Sequence, residues 1–114
     1  MKREDFVNVA EEVLDSLPVE FRSRIKNVAI LVEDFPPTQP GQRRRLTLGI
    51  FHGVPRTKQS VFNVPTGPAH IVLYQKNIEA VCSTDAEVRH QIRQTLLHEL
   101  GHYFGMTEEE LRDV

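Results

Sequence analysis

The sequence predicts an α+β domain in which a small mixed β-sheet is packed with helices. Three observations carry this. An apolar stripe at helical spacing opens the chain, three short apolar runs separated by proline and glycine follow, and a long capped helix comes late and carries His98-Glu99-Leu100-Gly101-His102.

Phe6, Val9, Ala10, Val13 and Leu17 recur at three- and four-residue steps, with Glu11, Glu12 and Asp15 between them, which predicts a first amphipathic helix. Pro18 interrupts it, and Pro18 to Arg24 reads as a short second helical turn. Val28 to Val32 is nearly continuous, apolar and partly β-branched, the pattern of a buried strand, and it ends before Pro36-Pro37. Thr38 to Arg45, with Pro40, Gly41 and three consecutive arginines, reads as a solvated loop. Leu46, Leu48 and Ile50 alternate with Thr47, Gly49 and Phe51, predicting a second strand closed by Gly53. Arg56 to Ala69 reads as an irregular connection, and Ile71 to Tyr74 as a third strand. The long helix runs from Thr84 to about Phe104; Thr84 with Glu87 forms a capping-box pattern, and Gly105 stands where a left-handed residue ends a helix. Thr107 to Leu111 starts a last short helix. No repeat or internal boundary appears, so residues 1–114 are read as a single domain.

Composition narrows the function classes. Hydrophobic residues make up 39% and charged residues 26% of the 114, which is globular usage, and the formal net charge of −2 gives no electrostatic footprint for nucleic acid. No apolar run approaches the roughly 20 residues of a membrane span. The charged start of the chain predicts no signal peptide, and the lone Cys82 permits no internal disulfide, so a reducing, cytoplasmic setting is expected.

The chemistry is concentrated on the late helix. His98 and His102 are four residues apart, hence one turn apart on one face, and both imidazoles can approach one Zn2+. Glu99 is the neighbouring residue round the helix. In this motif it does not ligate but accepts a proton from the zinc-bound water, as general base. A third protein ligand is needed. Gly105 allows the chain to reverse, and three residues on stands Glu108, a carboxylate able to complete a site of two histidines, a glutamate and water. Thr107 is also a good N-cap with Glu110 three residues later, so Glu108 has a second reading as a carboxylate favouring a helix N-terminus. His52, His70 and His90 lack ligand spacing, Tyr74 and Tyr103 read as packing residues, and Cys82 reads as structural. Glu79 could reach the site only by a fold-back.

Most of the chain resembles the small bacterial zincin-like family of minimal metallopeptidase-like proteins. The resemblance rests on Leu17-Pro18-Val19-Glu20-Phe21-Arg22, Val32-Glu33-Asp34 with Pro36-Pro37, Gly49-Ile50-Phe51-His52-Gly53-Val54-Pro55, Ile71-Val72-Leu73-Tyr74 with Ile78-Glu79, and the specific segment His98 to Met106. It implies a minimal zincin-like domain whose motif helix packs across a small mixed sheet. The implied metal site is His98, His102 and the acidic Glu108, with Glu99 as base. The function expected is zinc-dependent hydrolysis of peptide or amide bonds; the alternative is a non-catalytic zincin-fold module that binds metal or a partner. Only nine residues follow Gly105, so an open, shallow site is expected, with an exposed sheet edge as the handle for an extended substrate. A peptide or protein substrate is the expected partner, with no nucleic acid and no membrane, and no oligomeric state is specified.

Overall fold

A computed structural model describes residues 1–25, 28–37, 46–53 and 69–112, with Glu108 described by its backbone only. The elements run α1 (Arg3–Asp15), α2 (Val19–Arg22), β1 (Ala29–Glu33), β2 (Gly49–His52), β3 (His70–Tyr74), α3 (Gln75–Ala80), α4 (Asp85–Tyr103) and α5 (Glu108–Arg112). The architecture is α+β, as expected. The expected loops at 38–45 and 56–69 fall outside the described residues, apart from Ala69.

The sheet has the order β1-β3-β2. β1 pairs with β3 in parallel, Leu31 opposite Val72, and β2 pairs with β3 antiparallel, Ile50 opposite Val72. Being central, β3 contributes the deeply buried Ile71 and Leu73. β1 corrects one expectation. Its apolar run predicts a buried strand, yet Ala29, Leu31 and Glu33 are exposed and Leu31 retains 47% of its surface. An edge strand backed by a helix on one face needs apolar residues only on that face.

Helices α1 and α4 pack together on one side of the sheet. Phe6, Ala10 and Val13 of α1 join Leu17, Phe21, Ile71, Leu73, Ile78, Val88, Ile92, Leu96 and Leu100 in one core. Each large side chain there stabilises the fold by roughly 1.5–3 kcal/mol through apolar area removed from water. Arg3 fastens the start of α1 to the end of the sheet: its guanidinium donates to the Gln75 side chain and the Val32 carbonyl, each at 2.7 Å, and pairs with Asp34.

α4 begins with the expected capping box. The Thr84 hydroxyl accepts from the Glu87 N–H at 3.1 Å, while the Glu87 carboxylate accepts from the N–H of Ser83. It ends in a Schellman turn: Gly105 adopts φ 78°, its N–H donates to the His102 carbonyl at 3.0 Å, and the Met106 N–H donates to the Gly101 carbonyl at 2.8 Å. α5 follows at once, with Thr107 and Glu110 in a second capping box.

Candidate metal centre

α4 presents three side-chain stripes at four-residue spacing, and their order round the helix builds the site. Val88, Ile92, Leu96 and Leu100 are buried in the core. Beside them Thr95, Glu99 and Tyr103 meet strand β2. Next round, His98 and His102 are exposed, with ring centroids 4.4 Å apart and planes inclined at 52°. The proton-accepting candidate therefore lies between the core and the imidazole pair.

The middle stripe seats the edge strand. At its first position the Thr95 methyl lies where a side chain on Gly49 would be: a Cβ there would come within 2.7 Å of Thr95 Cγ2. Glycine lets strand and helix approach at this point. One turn on, Glu99 Oε2 accepts a hydrogen bond from the main-chain N–H of Phe51 at 3.3 Å. A further turn on, the Tyr103 ring stacks on the Phe51 ring, centroids 4.3 Å apart and planes at 29°. Consecutive turns of the motif helix thus grip one residue of β2, by its amide and by its ring.

Strand alternation explains why that amide is available. The Leu48 carbonyl faces β3, where it accepts from the Tyr74 N–H at 2.9 Å, so the polar groups of Phe51, three residues on, face the opposite edge. Among the described residues no strand lies beyond that edge.

Gly101, inside the motif, meets α5. A Cβ at Gly101 would come within 2.1 Å of Leu111 Cδ2, so the missing side chain lets α5 lie against the motif helix. Glu108 is the first residue of α5, which places its backbone one tight turn beyond His102. Its side chain is outside the described residues, and among those described no three His, Cys, Asp or Glu side chains gather as a metal-binding group. The donor set fits zinc in kind: two imidazoles brought together on an exposed helical face, beside a carboxylate tied to the sheet and so not drawn in as a ligand.

The other candidates are placed elsewhere. His52 and His70 stack across β2 and β3, centroids 4.8 Å apart. His90 is exposed two turns before the site, and Glu79 pairs with the Met1 ammonium at 3.5 Å. Tyr74 is buried, and Cys82 is half-buried with its thiol pushed up in pKa, first by burial and then by the Glu87 charge. Sequence reasoning misses Phe51 and Thr95. The four-residue spacing of Thr95, Glu99 and Tyr103 is visible, but a main-chain donor on a strand leaves no mark in the sequence.

The fold and this motif helix define a zincin-like domain, and comparison with known proteins agrees. The chain belongs to the zincin-like metallopeptidase family, whose model matches residues 25–114. Among solved structures it is similar to a conserved hypothetical protein from Thermo thermophilus, at 25% identity and a TM-score of 0.65, over 91% of this chain and 94% of that one. No curated protein matches it. Zincin-like proteins typically bind zinc. No helix among the described residues is long and apolar enough to cross a membrane.

Proposed function

We propose that the chain is a zinc-dependent hydrolase of peptide or other amide bonds, with His98, His102 and Glu108 holding the metal and Glu99 as general base. The observation that carries this reading is the fixed position of Glu99, tied to β2 through Phe51 and flanked by the imidazole pair. When bound, zinc supplies Lewis acidity, which polarises a carbonyl and makes water acidic near neutral pH. Glu99 accepts the proton of the attacking water and returns it to the departing amide nitrogen, so that its carboxylate is regenerated. An extended substrate would run alongside the outward edge of β2, with the Phe51 N–H remaining on Glu99, and present its carbonyl beside the histidines. The cytoplasm is the proposed setting.

The test is Glu99→Gln. The amide keeps an oxygen for the Phe51 N–H but cannot take a proton at neutral pH. Zinc content should match the parent protein while turnover of a peptide library falls by a factor of at least about 100. Saturated zinc with no turnover in the parent protein would favour a non-catalytic metal-binding or partner-binding module instead.

A further inference from the structure

We infer that the stacked pair Phe51–Tyr103 is a specificity surface that selects a substrate with an aromatic side chain. This rests on the reading of the site as one that accepts peptides. Both rings are half-buried, and they stack at 4.3 Å. Each is joined to the reaction centre by the chain itself. Tyr103 directly follows His102 and lies one turn beyond Glu99, and Phe51 supplies the N–H that holds the Glu99 carboxylate. A substrate strand lying along β2 therefore passes the two rings as it passes the imidazoles.

The remaining surroundings favour an aromatic guest. Tyr103 also meets the Phe104 ring, centroids 5.5 Å apart, and Phe104 in turn meets Phe21 and the Arg24 guanidinium. The ledge is thus the outer end of an aromatic cluster rooted in the core, which holds its rings in place without help from the substrate. A planar side chain laid against it gains offset or edge-to-face contact as well as apolar burial; a methyl group gains little of either. No titration or metal bond enters the selection, so it belongs to binding and is separable from turnover.

The chain contains no tryptophan, so a tryptophan peptide excited beyond the tyrosine absorption band gives a signal free of tryptophan background from the protein. The probes are short blocked peptides identical except for one central Trp, Phe, Leu or Ala, the last three measured by displacement of the first. They are titrated against the full zinc-loaded chain carrying Glu99→Gln, which prevents turnover. Trp and Phe peptides should bind about tenfold more tightly than the Ala peptide. Adding Tyr103→Ala should bring the four within about twofold, and Tyr103→Phe should restore the preference. Tyr103→Leu, which keeps apolar bulk, should recover folding without recovering the aromatic preference. Equal binding of all four peptides, no measurable binding of any, or a preference that survives Tyr103→Ala and Tyr103→Leu would overturn the inference. Cleavage by the parent protein regardless of aromatic content would also overturn it while leaving the hydrolase reading intact. Aromatic-selective binding without any turnover in the parent protein would uphold the ledge and remove the hydrolase.

Discussion

Glu99 on helix α4 is hydrogen-bonded to the backbone of Phe51 on edge strand β2, its Oε2 accepting the Phe51 N–H at 3.3 Å. The carboxylate is therefore oriented by the sheet as well as by its own helix. Any change that slides β2 along α4 moves this carboxylate without touching it.

Gly49→Ala is such a change. The new Cβ would meet Thr95 Cγ2 at 2.7 Å, with Leu73 Cδ2 and the Val72 carbonyl oxygen at 3.2 Å. Overpacking of this kind costs about 1–3 kcal/mol. Thermal denaturation should show a lowered Tm. Adding Thr95→Ser, which removes the methyl but keeps the hydroxyl that accepts from Gln91, should recover part of the loss.

Gly105→Ala tests a different cause. Among the described residues nothing lies within 4 Å of a Cβ at this position, so the penalty expected is that of the positive φ of 78°. An L-residue there costs on the order of 1 kcal/mol. The drop in Tm should be about 4 °C, and Gly105→Asn should be milder because asparagine tolerates this conformation.

Gly101→Ala should act on the metal more than on the fold. Its Cβ would displace Leu111 and with it α5, the helix that begins at Glu108. Zinc affinity by competition with a chelating dye should fall on the order of tenfold. Leu111→Ala in the same chain should restore part of it by making room.

Alkaline stability follows from Tyr74. Its phenol is pushed up in pKa, first by burial and then by the carboxylate of its cross-strand neighbour Glu33. Folding therefore favours the protonated ring. That contribution is complete below the unfolded value of about 10 and is lost as pH rises through the folded value. Denaturant midpoints should decline over this alkaline range, and Tyr74→Phe should remove part of the decline.

Legibility in the sequence follows the strength of local signals. Helix α4 is readable at both ends because Thr84, Glu87 and Gly105 make side-chain and backbone caps of recognisable type. The six-residue α3 is not, because Gln75–Ala80 is too short to show a period and has no side-chain cap. Strand β2 is legible as a strand, but of the alternating Leu46, Leu48 and Ile50 only Leu48 packs against the core, whereas Gly49 and Phe51 face α4. Alternation identifies a strand; which face it buries depends on the helix laid against it. The histidine pair and its neighbouring glutamate are legible from spacing alone. The amide that holds Glu99 is not, because it belongs to a backbone and a pairing rather than to a residue type.

Zinc content of the untagged protein, measured beside His98→Ala prepared in the same way, tests the central claim most directly. The account predicts stoichiometric zinc in the parent chain and its loss in the variant, with the circular dichroism of the fold retained. Equal zinc in the two proteins would contradict it.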